Sequence, residues 1–286
     1  MKKTVIQDDH WDLILCPKRK ILDIPIKEII EYKDLIYLFI RRDFVIKYKQ
    51  TVLGPIWYFI SPLISAIIYS FVFGKLAGLQ TNGVPHLLFY YAGTMLWAFF
   101  SQCFSDATNI FVNNSDLFGK VYFPRLVVPI SNAAGSFMKM FMQLLCLAGF
   151  YIYYVSIGIP IRPTWLLALF PLIVLQLSLL ANGVGMIISS ITTKYRDLRL
   201  LVEFALGLAM YATAVVYPIS QIPQNYSWLS YMNPVNAPLE LCRIAFFGSG
   251  SLEVWTILSS VGQTLLFLFF GLVMFNQNER NFIDVV

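Results

Sequence analysis

Charge is what this chain of 286 residues has least of: Asp, Glu, Lys and Arg together make up 13%, about half the share in an ordinary soluble domain. So few charges cannot cover the surface of a water-soluble globule, which makes lipid the expected solvent. Cysteine is scarce as well. Cys16, Cys103, Cys146 and Cys242 lie far apart with no CxxC pair, which excludes a disulfide framework or a zinc cluster and leaves them as packing residues. The two histidines, His10 and His86, cannot make a metal site by themselves. No GxxxxGK[ST] phosphate loop is present: Gly74-Lys75 and Gly119-Lys120 lack both the upstream glycine and the following Ser or Thr. Any nucleotide chemistry must therefore come from another chain, and no nucleotide, metal or other cofactor is expected on this one. The opening MKKTVIQDDHWDL is charged and lacks the apolar core of a signal peptide, so no cleaved leader is expected.

What is present is apolar. Hydrophobic residues make up 58% and aromatic residues 16%, and the mean hydropathy is positive. Residues 1–50 hold 19 of the 37 charged residues, whereas residues 51–275 hold 15. The chain reads as an all-α integral membrane protein, with residues 1–50 a cytoplasmic N-terminal segment and 51–286 the membrane domain. A crossing helix needs about 20 mostly apolar residues. Uncharged stretches predict six transmembrane helices near 54–76, 87–110, 127–157, 165–190, 199–217 and 254–275, the third long enough to tilt or project beyond the bilayer. With six spans, 17 of the 21 Lys and Arg residues fall on the side that carries both termini. The positive-inside rule makes that side the cytoplasm.

Two segments fit neither a plain span nor a plain loop. Pro218, Pro223, Pro234 and Pro238 interrupt any helix after the fifth span, yet Ala237–Phe247 is apolar and carries Glu240 and Arg243 three residues apart. Pro218–Gly250 is expected to be a re-entrant or interfacial element on the outer side, tolerated only against protein or a watery cavity; an extracellular loop with a surface helix is the plainer alternative. Lys27–Gln50 alternates apolar and charged residues with helical spacing, as a basic amphipathic helix in the cytoplasmic interface would. It is either a docking surface for a partner or an anchor for the first span.

Apart from Lys75 and Arg199 at span ends, the charged residues inside the predicted spans are few: Asp106, Lys139 and Glu203. Lys139 either snorkels its ammonium to the headgroups or lines a pathway for an anionic group. A membrane-embedded enzyme acting on lipid-linked sugars would need clustered ionisable groups, and these three are scattered. A proton-coupled flippase would need no ATPase and would depend on Lys139 or Asp106.

Three segments in order carry a resemblance. Tyr32–Leu63, YKDLIYLFIRRDFVIKYKQTVLGPIWYFISPL, resembles the RDxxxRYKQSxLGxxWxxxxPL pattern of type-two ABC exporter membrane subunits, with Lys47 where arginine and Thr51 where serine are common. Phe118–Pro129 is similar to that family's K-x-x-FPR-x-x-x-P signature. Tyr195–Pro223 with Trp228–Arg243 resembles its RD…PVxYP…NPxxxxxExxR arrangement, and the tail NERNFIDVV its terminal E-x-x-F-x-D-x-V. The likeness is to the polysaccharide exporters of the O-antigen, capsule and teichoic acid kind.

The resemblance implies a channel formed by two such subunits in a bacterial inner membrane, paired with two copies of a cytoplasmic ATPase that binds the ATP and Mg. It implies ATPase coupling through the pre-span helix (Arg42, Asp43, Lys47, Lys49, Gln50), through a short coupling helix (Lys120, Phe123, Pro124, Arg125) and through the loop carrying Arg196 and Asp197. Its substrate would be a lipid-linked glycan on polyprenyl diphosphate, with teichoic acid or a smaller amphiphile as alternatives on the same fold. Aromatic faces suit sugar rings, which makes Tyr58, Tyr69, Tyr90, Tyr91, Trp97, Tyr151 and Tyr154 candidates for the path. Tyr and Trp also gather at bilayer interfaces for reasons unrelated to substrate. Arg42 and Arg125 are further candidates for phosphate, or for ordinary ion pairing.

Overall fold

The computed structural model describes residues 26–48, 56–114, 123–192 and 197–282, and every regular element among them is helical. Two short N-terminal helices, α1 (Ile26–Glu31) and α2 (Lys33–Tyr48), precede α3 (Trp57–Tyr69), which widens into a π-helical turn over Ser70–Leu76. Then follow α4 (His86–Thr108), α5 (Ile110–Asn113), α6 (Val127–Ser156) and α7 (Phe170–Thr192), the last led by a 3₁₀ turn at Trp165–Leu169. The chain ends in α8 (Leu198–Ala209), α9 (Trp228–Met232), α10 (Asn236–Phe247) and α11 (Val254–Phe282).

Five helices are long and apolar enough to cross a membrane: Trp57–Leu76, His86–Thr108, Val127–Ser156, Trp165–Thr192 and Val254–Gln277. They match five of the six expected spans. At 30 residues, α6 is about 45 Å long, well beyond the ~30 Å hydrocarbon core. The remaining expectation, the fifth span as one continuous helix over 199–217, does not hold. α8 has 12 residues, about 18 Å; a 3₁₀ turn follows at Met210–Ala212, and Thr213 is already extended. Pro218 keeps the helix from resuming, because it disfavours helical geometry at Tyr217 and brings no N–H of its own.

α4 sits at the centre. Leu88 through Trp97 are buried without interruption, as expected of a helix that is apolar all round and walled by others. The surrounding helices keep one apolar face outward: Ile64, Ile67, Phe71, Leu145, Leu172, Leu265 and Phe269 are all exposed, as the surface of a protein that faces lipid or packs against neighbouring helices is. Between α7 and α11 the backbones nearly touch. A Cβ on Gly271 would fall 2.4 Å from the Gly183 carbonyl oxygen, and one on Gly183 would fall 2.7 Å from the Leu268 nitrogen. Small residues at such a crossing let dispersion replace the hydrophobic drive that lipid removes.

At the other end, α2 lies along the start of α6. Phe39 is buried in a second cluster with Ile110, Phe111, Phe123, Val127 and Phe275.

Candidate functional site

Three helices and the end of a fourth border an open cavity of about 410 Å³. Each wall is a helical stripe. α3 presents Trp57, Tyr58, Ser61, Pro62, Ser65 and Tyr69; α4 presents Thr94, Trp97, Ala98, Ser101, Gln102 and Ser105; α6 presents Ser136, Lys139, Met140 and Gln143; Leu206 and Met210 close one side. The spacings of three and four residues place each set on one face. Hydroxyls, two amides and aromatic rings alternate on these walls, so a molecule with apolar ring faces and many hydroxyl edges finds partners for both.

The α3 wall is shaped by Pro62. Proline has no N–H, so the Tyr58 carbonyl loses its partner four residues ahead. Gln143 supplies the missing donor: its side-chain Nε2 reaches the Tyr58 oxygen at 3.2 Å. The backbone oxygen of Gln143 in turn accepts from the Tyr91 hydroxyl, also at 3.2 Å. One amide thus ties α3 to α6, and its own peptide ties α6 to α4.

A second cavity of about 240 Å³ adjoins the first. It is lined by Arg42 and Asp43 of α2, by Asp106, Asn113 and Asn114, and by Asn132, Tyr58 and Lys139. Tyr58 and Lys139 belong to both linings, and the Lys139 ammonium lies 5.5 Å from the Tyr58 ring centre. Arg42 Nε donates to Asp43 Oδ1 at 2.8 Å, while its guanidinium covers the Phe39 ring at 4.7 Å. Both partners are about one-third exposed, so the pair adds little to stability.

The seven candidate path aromatics separate into three groups. Tyr58, Tyr69 and Trp97 line the larger cavity, and Tyr69 donates to the Met210 sulfur at 3.7 Å. Tyr90 and Tyr91 do not reach it: both are fully buried, Tyr90 edge-on to Phe89 and Tyr91 to Phe150. Tyr151 and Tyr154 stand elsewhere. Tyr151 donates to the Ile161 carbonyl, and Tyr154 lines an apolar notch with Leu87, Cys146, Gly149, Phe150 and Tyr153. Sequence reading missed the Ser, Thr and Gln stripe of α4, although its helical spacing was visible.

Among the expected coupling residues, Phe123, Pro124 and Arg125 are buried and open the turn into α6, where the Pro124 and Arg125 carbonyls accept from Val127 and Val128. Asp197 is exposed at the start of α8. Lys47 belongs to α2. Lys49, Gln50, Lys120 and Arg196 lie outside the described residues.

The Pro218–Gly250 region is built around one buried ion pair. Arg243 and Glu240, three residues apart in α10, are 2% and 1% exposed and meet at 3.4 Å. Arg243 also donates to the Val215 carbonyl at 3.1 Å and lies against Phe89. The rest of the broken backbone is satisfied nearby: Asn236 Oδ1 accepts from the Ala214 N–H at 2.8 Å, and Asn233 Nδ2 donates to the Ala212 carbonyl. Side chains thus replace the helical bonds lost beyond Ala212, as any non-helical backbone away from water requires. Gly93 leaves the room; a Cβ there would fall 2.9 Å from the guanidinium. Pro234 carries the carbonyl to which the Ser260 hydroxyl of α11 donates, and Pro218 is extended.

Residues 34–247 match the family described as ABC-2 type transporter. Two proteins of Klebsiella pneumoniae, each named O-antigen export system permease protein RfbA, are 27% identical to this chain over 254 and 255 residues, covering 88% of it and 95% of each relative. A protein of the same name from Myxococcus xanthus is 27% identical over 217 residues, 76% of this chain and 80% of the relative.

Proposed function

The chain belongs to the ABC-2 type transporter family, and from that membership we propose that it is the membrane permease that exports an O-antigen-like polysaccharide. It is a multi-pass membrane protein and a transport permease, not an enzyme, and the family implies an ABC ATPase as partner. The observation that carries the substrate class is the cavity walled by Trp57, Tyr58, Tyr69 and Trp97 together with rows of hydroxyls. Apolar ring faces with polar edges suit sugar rings without committing to one hydrogen-bond pattern. The names of the relatives support the same class.

The finer arrangement is our reading. Two copies assemble in the inner membrane with both termini cytoplasmic, joined to two ATPase subunits that bind ATP and Mg. α2 lies in the cytoplasmic interface. α8 and the polar-stapled stretch that follows it as far as Tyr217 together make the sixth crossing, with Pro218–Gly250 re-entrant from the outer side; the buried staples at Ala214 and Val215 support this. The glycan travels on a polyprenyl diphosphate lipid. ATP-driven movement of the partner presses on α2 and on the turn around Phe123–Arg125. Because α2 also walls the smaller cavity, that motion reaches Tyr58 and Lys139 at the border of the larger one.

The test is in cells. After deletion of the gene, full-length polyprenyl diphosphate-linked glycan is expected to accumulate on the cytoplasmic face of the inner membrane. An unchanged distribution between the two faces would refute glycan export and redirect the assignment to a smaller amphiphile.

A further inference from the structure

We infer that the permease selects a glycan whose repeat units are uncharged and rich in free hydroxyls, and rejects a polyanionic chain of the teichoic acid kind. The inference rests on the export function proposed above and narrows its substrate class.

The first observation is where the donor hydrogens of the larger cavity are spent. Ser65 of α3 donates to the Ser61 carbonyl at 3.1 Å. On α4, Thr94 donates to the Tyr91 carbonyl at 3.1 Å and Ser101 to the Ala98 carbonyl at 3.2 Å. All three line the cavity. Each gives its one hydroxyl hydrogen to its own helix and keeps oxygen lone pairs for a ligand. The amides of Gln102 and Gln143 are committed in the same sense. Each gives an N–H to the protein, to Asp106 Oδ1 at 2.9 Å and to the Tyr58 carbonyl at 3.2 Å, and each retains an acceptor oxygen. This wall therefore accepts hydrogen bonds more readily than it gives them. A sugar hydroxyl brings a hydrogen to donate, whereas an ionised phosphate or carboxylate can only accept.

The second observation is charge. Among the described residues lining the two cavities, each counted once, the charged side chains are Arg42, Lys139, Asp43 and Asp106. Two cations and two carboxylates sum to zero, and Arg42 already donates to Asp43 at 2.8 Å. An anionic repeat unit gains no net attraction here to offset the water it sheds on entering. That cost recurs with every repeat of a polyanion, whereas a lipid carrier brings its diphosphate once per chain. The rings of Trp57, Tyr58 and Trp97 offer apolar surface to the uncharged C–H faces of a sugar.

The experiment uses the full-length chain in phosphatidylcholine nanodiscs, with quenching of tryptophan fluorescence as the readout, since Trp57 and Trp97 line the cavity. Three probes of equal length are titrated: maltoheptaose, its per-O-methyl derivative, which lacks donors, and the galacturonic acid heptamer, which is anionic. The wild type is expected to bind maltoheptaose at least about tenfold more tightly than either of the others, the scale of one or two neutral hydrogen bonds. Ser65→Ala/Ser101→Ala loses most of the preference over the methylated probe and keeps the affinity for that probe, which also demonstrates that the variant is folded. Galacturonate binding as tight as that of maltoheptaose overturns the rejection of anions. Equal affinity for the free and methylated sugars in the wild type, or an undiminished preference in the double variant, overturns the acceptor wall. Binding of none of the three overturns the cavity as a sugar site. In cells, the glycan trapped by gene deletion is expected to contain no phosphate or uronic acid in its repeat unit. A trapped polyanion overturns the selection while export stands; if deletion traps nothing, the export function fails instead.

Discussion

Phe39 of α2 and Phe123, just before α6, meet edge-on with ring centres 5.8 Å apart and planes at 71°. This one contact joins two segments that are 84 positions apart in the sequence and that the family resemblance assigns separately to the ATPase surface. In the proposed mechanism, this contact is the route by which a push on either reaches the other. Phe39→Ala should remove roughly 3–5 kcal/mol of α2 docking, the usual cost of emptying a buried phenylalanine site. The expected outcome is export falling steeply while the membrane domain stays intact, read as faster limited proteolysis within α2 and glycan retained inside. Wild-type export in Phe39→Ala would refute mechanical coupling through this contact.

The division of the aromatics gives a second prediction. Trp97→Ala and Tyr58→Leu alter the wall of the larger cavity and should lower the export rate by roughly two- to tenfold each, the value of one ring contact. Tyr154→Leu, in the apolar notch, should leave the rate near wild type. Pulse-labelling of surface glycan would compare the three variants. An equal loss in Tyr154→Leu would remove the cavity from its role.

The Arg243–Glu240 pair makes a third. Arg243→Met strands the Glu240 carboxylate and frees the Val215 carbonyl, and should destabilise by roughly 3–5 kcal/mol. Replacing both with Arg243→Met/Glu240→Leu should recover part of that loss, since no charge then remains buried. Thermal unfolding in detergent of the two singles and the double would settle it, and additive losses would show that the two residues act independently.

A fourth concerns the α7–α11 crossing. Gly271→Ala forces a methyl against the Gly183 carbonyl and should cost about 1–3 kcal/mol. Gly262→Ala, on the same helix but with open space at the Cβ position, should be neutral or slightly stabilising through helix propensity. Equal unfolding temperatures for the two variants would contradict the close packing.

The long helices were legible because hydrocarbon thickness imposes a minimum apolar length, and five stretches satisfy it plainly. The fifth predicted span was misjudged for an instructive reason. Residues 199–217 are apolar enough, but their helix stops at Ala209, a 3₁₀ turn carries the chain to Ala212, and the backbone beyond is held by Asn233, Asn236 and Arg243. Those partners follow 21 to 28 positions later in the chain, and no local periodicity announces them. Likewise the aromatic residues were visible, but which of them face open space depends on the neighbouring helix. Tyr90 and Tyr91 look no different in sequence from Tyr58 and Tyr69, yet α4 buries the former pair completely.

Composition and charge placement alone determined that this chain lives in lipid, because so few charges cannot cover a surface that faces water. The tertiary structure decided what the sequence left open: that Phe39 meets Phe123, that Pro62 and Gln143 shape one wall of a cavity, and that Lys139 stands where two cavities join. Those relations depend on which faces of separate helices meet, and that is set by packing between residues distant in the chain.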